Sequence, residues 1–160
     1  NTIKMMRVHG QNKRYYHKHI GIGGRLDTIQ AAILLAKLPH YSQELSSRQE
    51  VATHYTKALS SEIKTPLIKQ NRSSAWAQYT IRVKSREALQ SKLKIKGVPT
   101  AVYYPMPLHL QECFQYLNYK VGSYPVAEKA SNEVMSIPMN SFLTKEQIDY
   151  VISMIKENIK

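Results

Sequence analysis

Gly21-Ile22-Gly23-Gly24-Arg25 stands directly in front of a stretch patterned as a helix. Glycines let the backbone approach a ligand closely, and a helix start offers unpaired N–H groups and positive potential to a phosphate. Arg25 adds a forked cationic donor. The same pattern also serves as a plain flexible turn. It matches neither the P-loop, which needs Gly-Lys-Ser/Thr, nor the dinucleotide fingerprint, which needs a preceding strand and other spacing. Tyr103-Tyr104-Pro105-Met106-Pro107-Leu108-His109 is the second candidate. Two prolines there would lock two phenols at a strand end, a rigid polar-aromatic rim suited to a sugar or a base. The alternative is an aromatic corner of the core. His17 and His19 would share one face of a strand, but no cysteine or acid nearby completes a metal set. Solvated or hydrogen-bonded histidines are the simpler reading. His9, His40, His54 and His109 show no zinc spacing with an intervening Glu. Cys113 falls beside Phe114 in a predicted helix, where a free thiol packs. No serine sits in a nucleophile-elbow motif.

These residues need elements to hold them. Asp27 with Gln30 makes a capping-box pair, and Ile29, Ala32, Ile33 and Ala36 recur at helical spacing, which predicts a helix through Leu38. Leu34, Leu35 and Leu38 make its other faces apolar, so it is expected to be buried nearly all round, against something the chain does not contain. Pro39 opens a second helix, to about Leu59. Residues 60–75 read as a loop. Residues 76–83 alternate, which predicts a half-buried strand with Ala77, Tyr79, Ile81 and Val83 on one face. Ser85 caps a helix through Lys96, stopped by Gly97 and Pro99. Residues 100–104 read as a second strand, 108–117 as a short helix, 125–135 as another, and Ser136-Ile137 as a short strand. Thr144 and Gln147 form a capping box for the last helix, whose stripe is Ile148, Val151, Ile152, Ile155 and Ile159. The order predicts an α+β layer, with helices packed on a small, mainly antiparallel sheet.

Composition narrows the function. The chain has 160 residues, 42% of them hydrophobic, which supports a packed core and excludes a disordered segment. Its longest apolar run, Ala31 to Ala36, falls well short of the roughly 20 residues a membrane-spanning helix needs. One cysteine excludes an internal disulfide framework and fits a reducing compartment. With 23 Lys+Arg against 11 Asp+Glu, the net charge of +12 points to an anionic partner. The cations are scattered and form no block of five, which weighs against a nucleic-acid module. Neither an initiator Met nor an apolar signal region opens the chain, so it is expected to begin inside a longer protein.

Several segments taken together resemble one family. They are Arg7-Val8-His9-Gly10, then residues 21–32, then Ser74-Ala75-Trp76-Ala77-Gln78-Tyr79-Thr80-Ile81, then residues 97–109, then Tyr124-Pro125-Val126-Ala127-Glu128 and Ser136-Ile137-Pro138-Met139. In this order and spacing they look like the C-terminal part of the DegT/StrS family of PLP-dependent nucleotide-sugar aminotransferases. The resemblance covers nearly all of the chain.

It implies the C-terminal small domain of a fold-type-I transferase. Residues 1–38 would be a loop and interface helix at the end of the PLP-binding large domain, and 39–160 the small domain. The Schiff-base lysine, in its Ser-Phe-x-x-x-Lys context, would precede this chain, so no catalytic residue is expected here and the segment alone should be inactive. In the family, the loop before the first helix reaches into the neighbouring subunit's active site, with a Gly-x-Asn-x-Arg pattern. Gly23 stands here at the asparagine position and Arg25 is kept. Gly23 and Gly24 are then expected to meet the cofactor phosphate through backbone N–H groups at positive φ. The family's His-Tyr-Pro strand end is Tyr103-Tyr104-Pro105 here. Arg25, Tyr103, Tyr104, His19 and His109 are the implied substrate contacts, and no metal is expected.

The resemblance implies a cytoplasmic homodimer with a cross-subunit site, needing no membrane or nucleic acid. It would move an amino group from glutamate to a keto sugar nucleotide, in polysaccharide or glycan biosynthesis. The segments around Tyr103 and Trp76 look most like enzymes that aminate a UDP-linked 3-keto acetamido sugar. A non-catalytic dimerisation domain and a basic nucleic-acid module are the alternatives from other classes.

Overall fold

Helix ends in the computed structural model, which describes residues 1–159, follow local chemistry. The chain divides into two units, Asn1–Ser42 and the residues from Gln43 onward. The first unit holds a short helix α1 (Thr2–Met6) and an antiparallel hairpin of β1 (Gln11–Lys13) with β2 (Tyr16–His17). An extended stretch then leads to α2 (Thr28–Lys37). The Asp27 N–H donates to Gln30 Oε1 at 3.2 Å, so the predicted capping box forms.

From Gln43 onward the core lies between a two-stranded sheet and helices. α3 (Tyr41–Leu59) buries Val51, Ala52, Tyr55 and Leu59. β3 (Tyr79–Arg82) pairs antiparallel with β4 (Val134–Ile137), placing Tyr79 opposite Ile137 and Ile81 opposite Met135. Tyr79, Ile81 and Met135 are fully buried. α4 (Arg86–Ile95) ends as a glycine stop should. Gly97 takes φ +73°, its N–H donates to Lys94 O at 3.1 Å, and Val98 N–H donates to Leu93 O at 2.9 Å. α5 (Pro125–Glu133) starts on its proline and runs into β4. α6 (Lys145–Asn158) starts at Thr144, whose Oγ1 accepts the Gln147 N–H at 3.3 Å, and it packs on α4.

Several expectations change. The helix expected to be buried nearly all round, α2, has no buried residue, and Leu35 on it is 70% exposed. Among the described residues no apolar surface covers it. Residues 100–104 form no strand. Ala101 alone bridges to Ser136, and the prolines beyond it forbid a ladder. The alternation over 76–83 fails at its start because Trp76 takes φ +47°, which turns its ring into the core and leaves Ala77 exposed. The short helix at 108–117 is two 3₁₀ pieces, Leu108–Leu110 and Glu112–Leu117. Cys113 lies in the second of these with its thiol exposed, not packed.

Candidate functional site

The glycine loop is built by backbone pairing. His9 N–H donates to Ile22 O at 3.0 Å, and Gly24 N–H donates to Arg7 O at 2.8 Å. These two bonds flank the Val8–Gly23 bridge, the widely spaced kind of antiparallel pair. In such a pair the residue's own N–H and C=O turn away from the partner. Gly23 therefore presents its N–H outward, while Gly24 has spent its own on Arg7. The expected pair of N–H donors at Gly23 and Gly24 is thus reduced to one. Neither glycine has positive φ; Gly10 does, at +76°. A Cβ at Gly23 would meet the His9 ring edge at 3.2 Å, so nothing in the backbone demands glycine there.

The residues present fit one edge of a phosphate. Gly23 offers an outward N–H, and Arg25, two residues on, is an exposed guanidinium with no ion pair among the described residues. In Asn1–Ser42 seven Lys and Arg face a single acid, Asp27, so the local field favours an anion. His17 Nδ1 lies 2.8 Å from His9 O. A carbonyl only accepts, so His17 holds its proton on Nδ1, and the ring serves the hairpin. His19 is exposed. Among the described residues no group of three or more His, Cys, Asp or Glu is arranged to hold a metal.

The second group lies in the other unit. Tyr103 and Tyr104 are 45% and 75% exposed, with ring centroids 6.1 Å apart in an edge-on arrangement. Both phenols face solvent, so the aromatic-corner alternative does not hold. His109 differs. Its Nε2 is 3.0 Å from Glu128 Oε1, its ring packs on Tyr124 at 4.9 Å, and its side chain is 8% exposed. The ring is committed to the fold and leaves little surface for a substrate. The backbone N–H groups of Gly122 and Tyr124, and then His109, hold the Glu128 carboxyl below its usual range.

Sequence reading missed the anchoring role of Trp76. Its Nε1–H donates to Gln49 Oε1 at 2.8 Å, its carbonyl accepts from Arg48 at 2.9 Å, and its ring lies 5.6 Å from Tyr79. A groove of about 1010 Å³ lined by Lys64, Arg82, Lys84, Leu89, Lys92 and Val126 includes none of the predicted site residues. Arg82 there is held by Glu133 at 2.6 Å.

This fold, with a glycine-rich loop before an exposed apolar helix and paired phenols on an α+β unit, is that of the C-terminal region of fold-type-I aminotransferases. An aminotransferase from Brucella abortus superimposes with a TM-score of 0.88 at 36% identity, over 99% of this chain and 43% of that one. DesV from S. venezuelae, in complex with a ketimine intermediate, does so at 0.88 and 30%, over 97% and 42%. The chain belongs to the DegT/DnrJ/EryC1/StrS aminotransferase family, whose model matches residues 1–156. It is 44% identical to the UDP-2-acetamido-2-deoxy-3-oxo-D-glucuronate aminotransferase of Pseudomonas aeruginosa, over 94% of this chain and 41% of that protein. It is also 44% identical to a pleiotropic regulatory protein of Geobacillus stearothermophilus, over 96% and 42%. The chain thus spans about two fifths of the curated relatives it matches. No helix among the described residues is long and apolar enough to cross a membrane.

Proposed function

We propose that this chain is the C-terminal segment of a PLP-dependent aminotransferase that moves an amino group from glutamate to a UDP-linked 3-keto acetamido sugar. The observation that carries the reading is the 44% identity to the P. aeruginosa enzyme, sustained over 94% of the chain. Residues 1–38 belong with the PLP-binding large domain and 39–160 form the small domain. The enzyme is a cytoplasmic homodimer whose site is completed across subunits. The exposed apolar faces of α2, with Ile29, Ile33, Leu34 and Leu35, support a covered position in that assembly.

When bound, PLP supplies the electron sink for amino-group exchange. The Gly23 N–H and the Arg25 guanidinium hold anionic oxygens of the phosphate or the substrate. His19, on the same loop, is an exposed polar group available to the substrate. The Tyr103 and Tyr104 hydroxyls orient the sugar nucleotide, and the net charge of +12 draws in its diphosphate. The lysine that carries PLP lies outside this segment.

Tyr104→Phe in the full-length protein tests the assignment. Losing one hydrogen bond to a neutral group costs about 0.5–1.5 kcal/mol, so the sugar half-reaction should slow a few-fold to roughly tenfold. The glutamate half-reaction, which needs no sugar contact, should keep its rate. Equal loss in both, measured by single-turnover absorbance, would assign Tyr104 to fold or cofactor instead.

A further inference from the structure

Residues 101–109, which carry Tyr103 and Tyr104, are tied at both ends to one continuous piece of chain. At the near end, Ala101 N–H donates to Ser136 O at 3.1 Å and Ser136 N–H donates to Ala101 O at 2.7 Å. At the far end, His109 Nε2 donates to Glu128 Oε1 at 3.0 Å. Ser136 lies in β4 and Glu128 in α5, which run directly into each other. Pro105 and Pro107 stiffen the span between the tethers by fixing φ.

Glu128 does more than hold His109. Oε1 and Oε2 accept the Gly122 N–H at 2.9 and 2.8 Å, and Oε1 accepts the Tyr124 N–H at 3.1 Å. Tyr124 in turn packs edge-on against His109 at 4.9 Å and Tyr119 at 5.1 Å. One carboxylate in the first turn of α5 thus gathers the 3₁₀ piece after the tyrosines and the 119–124 loop. Its side chain is 15% exposed, at the edge of the unit rather than in the hydrophobic core. It is ionised at neutral pH like any glutamate, and the Gly122 and Tyr124 N–H groups keep it an acceptor to lower pH as well.

We propose that Glu128 is a positioning residue for the nucleotide-sugar wall: through His109 it sets where the Tyr103 and Tyr104 phenols stand, without touching substrate itself. The inference rests on the functional reading above. It gives His109 the role of linking Glu128 to the wall.

The test uses the full-length enzyme with glutamate and the sugar nucleotide. Glu128→Ala should fold, raise KM for the sugar nucleotide roughly tenfold, and leave the glutamate half-reaction within about twofold. Glu128→Gln keeps a carbonyl oxygen that can accept from His109 and Tyr124 but turns its NH2 toward the Gly122 N–H, so it should recover part of the loss. A folded Glu128→Ala with unchanged sugar KM overturns the proposal. So does equal damage to both half-reactions, or failure to fold, since Glu128 would then be a stability residue. A wild-type enzyme inactive with every sugar nucleotide overturns the functional reading, and this inference with it.

Discussion

Gly21→Ala in the full-length protein is expected to weaken PLP binding roughly five- to hundredfold. A Cβ on Gly21 would stand 2.3 Å from Met6 O and 2.5 Å from Gly10 N, both backbone atoms that cannot swing aside. Gly21 is also where the loop locks on, because Ile22 N–H donates to Met6 O at 2.8 Å. The inserted carbon must push the loop away from the end of α1 and the turn at Gly10, carrying Gly23 and Arg25 with it. Forced overpacking costs about 1–3 kcal/mol, and about 1.4 kcal/mol is tenfold in affinity. Gly24→Ala is the comparison. Its added carbon would lie 3.4 Å or more from its neighbours, so affinity should stay at the wild-type value. A PLP titration followed by absorbance separates the two variants. Wild-type affinity in Gly21→Ala would remove the loop from the cofactor site.

Ile155→Ala is expected to destabilise the protein by about 2–5 kcal/mol, the usual cost of emptying a buried aliphatic site. Ile155 is fully buried on α6, which packs on α4, where Leu93 is equally buried. α4 is stopped by Gly97, and α6 is fixed at Thr144. Urea unfolding of wild type and variant gives the difference. A loss below about 1 kcal/mol would mean the seam between α4 and α6 collapses freely and is not the core.

What sequence could read was short-range. Asp27 with Gln30, and Thr144 with Gln147, are three residues apart and hydrogen-bond as their spacing requires. Gly97 with Pro99 likewise marked the end of α4. The alternation of Tyr79, Ile81 and Val83 reported its buried face correctly. The family resemblance rested on an ordered set of such segments and held over residues 1–156.

What escaped the sequence depends on contacts between distant residues. Residues 100–104 have strand-like composition, but a strand needs a partner edge, and only Ala101 reaches Ser136. Alternation puts Trp76 on the face opposite Tyr79, yet its indole is captured by Gln49, 27 residues earlier, and the backbone turns to allow it. The sequence pattern puts Met135 at a helix end. Pairing with Ile81 and full burial draw it into β4 instead. At the site, three features were legible only once the chain was folded: the close approach of Gly21 to Gly10, the single outward N–H at Gly23, and the Glu128–His109 bond across 19 residues. The family pattern named Arg25 and Tyr104 as candidates, and the structure leaves both exposed to a ligand.

The proposed activity is PLP-dependent amino transfer to a nucleotide-linked keto sugar by the protein this segment completes. Its most direct test gives the full-length protein PLP, glutamate labelled at its nitrogen, and a UDP-linked 3-keto acetamido sugar, then follows the label by mass spectrometry. Labelled nitrogen is expected on the sugar carbon that bore the ketone, with 2-oxoglutarate in equal amount and no transfer when PLP is removed. An unlabelled sugar, or transfer that persists without PLP, would contradict it.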